Sequence, residues 1–443
     1  MKKDLTNGPV LQGIVGLALP IIASSFLQFA YNFTDMLWVG QLGSNSVAAV
    51  GTSAFFLQLT WAFASVFLLG TGISVSHAIG KKENTTAQNI AREALFFLVI
   101  IVAVMVFIIQ LFYRDLIGFF MLNDLVVESL AYDYLRCASL GLLFILTVNL
   151  FTGISNARGD AKTPLKITII GVVINILLDP IFIFVLDLGV LGAALATIIA
   201  QSISLFLFWN KAAQDFLGKY KEWEFTTGTI KKTISLGFPP SIQRIIFTVV
   251  GIIMARIVAQ WGSDAIAAQK IGLQIESMTF MATGGLMGAM MSFTGQNFGA
   301  QKFNRIREGY TTALKIGVAL GVVMGILFYS FPTFFVRLFV QEEATVTIGA
   351  DYLRIIGLSQ VFMCVEMITS GIINGLGKTK VPATINITMT LIRIPMAIYL
   401  SSFAAIGING VWLAIAISTV LRATSLSIAY QFIKRKIILN STI

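Results

Sequence analysis

The stretch Gly171-Val-Val-Ile-Asn175-Ile-Leu-Leu-Asp179-Pro-Ile-Phe-Ile-Phe184 decides how this chain is to be read. It sets a carboxylate, Asp179, four residues after an amide, Asn175, and so on one face of a helix whose other residues are almost all apolar. An Asp near the centre of a helix in hydrocarbon costs about 2.5–3.5 kcal/mol on insertion scales, so a carboxylate kept there marks a functional site by default. The rest of the chain bears on what that carboxylate holds.

Of 443 residues, 56% are hydrophobic and only 12% charged, whereas soluble domains carry about 25% charged residues. Mean hydropathy is +0.85. Repeated apolar runs, each long enough for about 30 Å of hydrocarbon, make this an all-α integral membrane protein, since barrel strands would be short and alternating. The first long run, from Val10, continues too far for a cleavable signal peptide and lacks a small-residue cleavage site. Cys137 and Cys364 both fall inside expected spans and define no disulfide framework. The net charge of +10 sits in loops, which in so apolar a chain reads as a cytoplasmic face rather than a nucleic-acid surface.

Twelve spans are expected, near 10–40, 46–76, 90–113, 129–155, 165–186, 189–210, 234–260, 266–293, 309–336, 350–374, 382–404 and 408–433. Alternate loops collect the positive charge: Lys81 and Lys82, Arg158 and Lys162, Lys302 to Arg307, Lys378 and Lys380, and Lys434 to Lys436. The loops between them hold little, so both termini are expected in the cytoplasm.

The sequence repeats itself. At an offset of 219, Pro20 meets Pro239 and Gly43 meets Gly262; at 218, Gly153, Asn156, Pro164, Gly189 and Gly192 meet Gly371, Asn374, Pro382, Gly407 and Gly410. Each copy has an even number of spans, so the two should be related by an axis along the membrane normal, a transporter design. The expected division is an amino-terminal lobe over 1–210, a polar cytoplasmic linker over 211–232 and a carboxy-terminal lobe over 233–443.

Structural residues should recur in both copies, while functional ones need not. Asp35, Asn175, Asp179 and Thr197 correspond to Met254, Arg393, Ala397 and Ile415, so this polar set is private to the first copy. At 1.5 Å per residue, Asp35, Asp179 and Thr197 all lie about 9–12 Å below the outer surface. Carboxylates, an amide and a hydroxyl are hard oxygen ligands for an alkali or alkaline-earth cation, and two neighbouring buried carboxylates equally make a proton acceptor; Na⁺ and H⁺ both stay open. Gln28 and Tyr31 share the face of Asp35, with helix packing as the plainer reading. The competing reading of the two Asp residues is an ion pair with Arg136 inside the bundle. His77 reads as a loop residue at the end of the second span. In the second copy Arg244, Arg256, Lys270, Glu276, Glu366 and Arg393 read as a structural charge network, with a second ion site as the alternative. One His, no metal-ligand spacing and no nucleophile-base pair argue against an enzyme.

Leu19-Pro20 through Asp35 to Gly40, the run Gly153-Ile-Ser-Asn-Ala-Arg-Gly-Asp-Ala-Lys-Thr-Pro164, its echo from Gly371 to Pro382, and Asn175 with Asp179 together resemble the multidrug and toxic compound extrusion (MATE) transporters. The resemblance implies a V-shaped bundle of two six-helix lobes in the bacterial or archaeal plasma membrane, exporting cationic or lipophilic drugs in exchange for Na⁺ or H⁺. It implies a cation site at Asp35, Asn175, Asp179 and Thr197, and a cavity lined by Gln28, Tyr31 and Asn149. A monomer among membrane lipids, with no cofactor beyond the coupling ion and no nucleic-acid partner, is expected. The family's second-lobe site draws in some members on a carboxylate in span seven, and span seven here has none. The alternative of related architecture is a lipid-linked saccharide flippase, which wants intramembrane Arg and Lys for pyrophosphate.

Overall fold

The structure is a computed structural model that describes residues 4–122, 124–210, 214–218 and 227–441; among these it is helical and contains no strand. In hydrocarbon every backbone N–H and C=O must be satisfied within its own segment, and apolar runs of this length have the helix as their solution. The elements are α1 (Val10–Gln41), α2 (Ser44–Gly80), α3 (Asn84–Gly118), α4 (Leu125–Ala157), α5 (Lys162–Pro180) with a π turn over Ile181–Val185, α6 (Gly189–Phe208), the short α7 (Gln214–Leu217), α8 (Thr227–Val258), α9 (Ser263–Gly299), α10 (Phe303–Ser330), α11 (Pro332–Arg337), α12 (Glu343–Gly357), α13 (Gln360–Gly375), α14 (Lys380–Ser401) and α15 (Asn409–Ser441).

Ten of these are long and apolar enough by themselves to cross a membrane, and α12 with α13 form an eleventh span bent by 54°. The twelfth is α9, which is 37 residues long but interrupted by Lys270 and Glu276. The layout is six spans followed by six, as the repeat requires. Several helices run past the expected ends, because hydropathy stops at the first charged residue while the hydrogen-bond ladder continues to the next turn. Two features were not legible. The ninth span stops at Ser330, where Phe331 leaves helical geometry (φ −125°, ψ 38°) and Pro332 starts α11. His77 is helical and buried rather than in a loop.

The repeat explains its own glycines. Gly43 and Gly262, paired at an offset of 219, open α2 and α9 with φ of +101° and +91°, a region that disfavours any side chain. Asp160 in the 153–164 run caps α5, accepting from the N–H of Lys162 and Thr163 and from the Thr163 hydroxyl.

Within the described residues the chain divides into two compact units, one running from Ala23 to Ser241 and the other joining Leu5–Ile22 to the chain from Ile242 onward. The first unit is centred on Phe67, Leu98, Leu146, Leu150, Phe151 and Phe208 from α2, α3, α4 and α6. The linker expected over 211–232 is described at 214–218 and from Thr227, where α8 has already begun. There Phe216 packs on Phe151 and under the Arg158 guanidinium, which lies 5.7 Å from the ring centre.

The second unit is built around Tyr352, Trp412, Phe328 and Ile356. It also holds the segment ahead of α1. The Leu5 N–H donates to Gln296 and the Leu5 carbonyl accepts from Asn297, while Lys302 donates to Thr6 O and Arg305 donates to the carbonyls of Leu5, Asn7 and Gly8. Side chains of α9 and α10 thus satisfy a stretch of irregular backbone and fix where α1 starts.

Candidate functional site

The first-copy polar set assembles at one end of the first unit. Asn175 and Asp179 are fully buried, one turn apart on α5, and the Asn175 Nδ2 donates to Asp179 Oδ1 at 3.0 Å. The placement of Asp179 follows from the residue after it. Pro180 has no N–H to continue the ladder, and the helix widens into the π turn that closes with Leu186 N–H donating to Ile181 O at 2.9 Å. Single π turns of this kind recur at functional sites. A methyl on Gly192 of α6 would stand 2.6 Å from the Phe182 carbonyl, so bare backbone faces bare backbone and α6 comes close to the turn.

That approach brings Thr197 of α6 to Tyr31 of α1, whose hydroxyls lie 2.9 Å apart. Tyr31 is buried, and its phenol lies within electrostatic reach of both Asp35 and Asp179, which also sense each other. Val39, Val50, Ile183, Val190 and Ala193 pack as an apolar floor with Trp38 and Tyr134 against it, and Trp38 meets Phe184 edge-on at 6.0 Å.

Three oxygens in this group, Asp35 Oδ1, Asn175 Oδ1 and Asp179 Oδ2, are buried and accept no hydrogen bond. Among the described residues no basic side chain pairs with either Asp. Arg136, the competing partner, points elsewhere and lies 4.9 Å over the Tyr113 ring. Unpartnered buried acceptors are costly, and here they are the donor atoms a small hard cation or a proton would satisfy.

The structure therefore groups Tyr31, Asp35, Asn175, Asp179 and Thr197. The two other expected cavity residues make hydrogen bonds within their own helices. Gln28 is exposed and donates to Asn32 at 3.4 Å, and Asn149 donates to the carbonyl one turn back in its own helix, Ile145 O, at 2.8 Å. Tyr134 of α4 was missed: its phenol senses both Asp35 and Asp179. No spacing along the sequence signals it, and only the packing of α4 against α6 places it.

The second unit holds a different polar group. Tyr352 donates to Glu276 at 2.9 Å, Arg422 donates to Glu366 at 3.1 Å and to Thr419, and Arg393 donates to Ser418 at 2.9 Å. Arg422 was not among the expected charges, because it is a lone base in the apolar run of α15, yet it is the one that pairs with Glu366. Lys270, Arg256 and Arg244 are exposed and stand outside this buried set.

A two-lobed helical bundle with a buried oxygen site defines a membrane transporter. The MatE family model matches residues 20–181 and again 239–399, one match per repeat, and the chain belongs to that family. It is a transporter and not an enzyme. Similar curated proteins include "Probable multidrug resistance protein NorM" of Thermotoga maritima, 25% identical over 93% of this chain and 90% of that one, and "Probable multidrug resistance protein YoeA" of Bacillus subtilis, 27% identical over 94% and 93%. Among solved structures, a MATE transporter "in the straight conformation" superposes with TM-score 0.91 at 24% identity, covering 98% of both chains, which shows the fold. A transporter of the MOP superfamily from Pyrococcus furiosus, described as having a binding pocket of reverse polarity, gives 0.90 at 25% identity over 98% of both chains.

Proposed function

We propose that the protein is a multidrug efflux antiporter that exports cationic or lipophilic compounds in exchange for H⁺ or Na⁺, with Asp35, Asn175, Asp179 and Thr197 as the coupling site. The observation that carries this reading is the trio of buried, unpartnered acceptor oxygens on Asp35, Asn175 and Asp179. The curated relatives named for multidrug resistance support the substrate class. The donor set is all oxygen, which suits Na⁺ or a proton and not a thiolate- or imidazole-bound metal.

Neutralisation of the two Asp residues removes the penalty of keeping anions out of water and changes which packing of α1 against α5 and α6 is favoured. Tyr31 and Thr197, bonded across α1 and α6, transmit that preference to the helix carrying Pro20. Coupling requires that ion and drug each bind one conformational state better than the other, since equal affinity shifts nothing. The Lys and Arg loops support an orientation with both termini in the cytoplasm, and a monomer in the plasma membrane is part of the same proposal.

The flippase reading stays the alternative: Arg393 donates to Ser418 and Arg422 to Glu366, while Arg244, Arg256 and Lys270 are exposed. The test is dye counterflow in proteoliposomes with a Na⁺ gradient and a pH gradient imposed separately. One of the two should drive efflux; dye movement indifferent to both, or flipping of a lipid-linked sugar instead, overturns the proposal.

A further inference from the structure

On the Lys- and Arg-rich side of the second unit, three spans leave a small cleft, open to solvent, between the start of α10, the end of α13 and the end of α15. Asn304 and Arg307 of α10 and Tyr430 and Lys434 of α15 supply its polar wall, and Phe303 and Leu376 its apolar one. Among the described residues no carboxylate lines it. Glu308, next to Arg307 in the chain, is exposed and is not part of the lining. Among the described residues neither Arg307 nor Lys434 forms an ion pair. Tyr430 is 3% exposed and is held by Tyr310, ring centres 4.3 Å apart, so the wall between the two cations is fixed rather than floppy. Lys378, Lys380, Arg435 and Lys436 lie close in sequence to the lining and add to a positive field at this mouth.

We propose that this cleft is a binding site for the phosphate headgroup of an anionic phospholipid of the inner leaflet. Two cations from different helices line a concave surface with no counter-charge among the described residues, and a buried aromatic and an amide share that lining. That is phosphodiester chemistry, with Arg307 offering a planar fork and Lys434 a point charge. The apolar wall of Phe303 and Leu376 suits the glycerol and first acyl carbons, which a free phosphate lacks. The position selects the lipid as well: the cleft opens where three spans leave the bilayer on its cytoplasmic side, and basic pockets between spans on that side recur as anionic headgroup sites. The inference concerns neither Asp35 nor Asp179 and stands apart from the antiport reading. A headgroup bridging α10 and α15 ties together two spans of one unit.

The experiment is native mass spectrometry of the full-length protein in mild detergent with added phosphatidylglycerol or phosphatidylcholine of the same chain length, repeated with excess inorganic phosphate. The wild type should retain phosphatidylglycerol in preference to phosphatidylcholine, phosphate should not displace it, and Arg307→Ala with Lys434→Ala should weaken retention by roughly tenfold or more. Arg307→Lys with Lys434→Arg, which keeps both charges, should retain most of the lipid. Equal retention of the two lipids, equal retention by the double Ala variant, or displacement by phosphate alone overturns the proposal. Thermal stability of the double Ala variant in detergent checks that a loss of lipid is not a loss of fold.

Discussion

Asp179 has its neighbour Asn175 as a donor for one oxygen and nothing for the other. A buried acceptor left so costs on the order of 1–3 kcal/mol, and the fold keeps it. The substitution Asp179→Asn preserves volume and removes the charge. Export in proteoliposomes should fall to background while the protein still elutes as a single folded species in detergent; transport at the wild-type rate would remove Asp179 from the coupling site. Arg422 behaves in the opposite way, since its charge is matched. Both Arg422 and Glu366 have side chains under 10% exposed, and deleting one partner of such a pair strands the other. Arg422→Met should destabilise the protein by about 3–5 kcal/mol, and adding Glu366→Gln should recover much of that. Thermal unfolding of the wild type and the two variants in one detergent decides it, and equal stability for the single and double changes would contradict the pairing.

At the scale of the element, α5 shows how one residue sets a helix's shape. Pro180 ends the regular ladder directly after Asp179, and the π turn that follows is held against α6 by a glycine. Gly192→Ala would push a methyl into the Phe182 carbonyl, and overpacking of this sort costs roughly 1–3 kcal/mol. The variant should lose coupled transport more steeply than stability, because α6 also carries Thr197 to Tyr31. Drug efflux measured beside thermal stability separates the two; an unchanged efflux rate would mean that the close approach does not position the site. The repeat places Gly410 in the same contact with Leu400, so the glycine belongs to the architecture, while Pro180 and its carboxylate belong to one copy.

At the scale of the molecule, charge bias predicts an orientation. Asp187 lies in a loop with almost no positive charge and Lys378 in one rich in it. In whole cells Asp187→Cys should react with a membrane-impermeant maleimide, and Lys378→Cys should react only after permeabilisation; the reverse pattern would invert the assigned topology. The two compact units do not follow the midpoint of the chain, because Leu5–Ile22 belongs with the second half and α8 as far as Ser241 with the first. Pro20, Pro239 and Pro240 lie within three residues of these two changeovers. No periodicity reports that exchange, since the residues involved are ordinary apolar helix on either side of it.

Composition and span length alone determined that the chain is a helical membrane protein, because a bilayer leaves the backbone no other way to satisfy its polar groups. The internal repeat determined six spans twice over, and the mismatch between copies singled out Asp35, Asn175, Asp179 and Thr197, since symmetry removes what is merely structural. Tertiary structure alone decided which polar groups face each other. It joined Tyr31 to Thr197, added Tyr134, gave Gln28 and Asn149 partners on their own helices, turned Arg136 away onto Tyr113 and paired Arg422 with Glu366. Spacing along a helix fixes a residue's depth and face, but a partner on another helix is fixed only by how the helices rotate and approach, and that depends on the small residues and breaks between them.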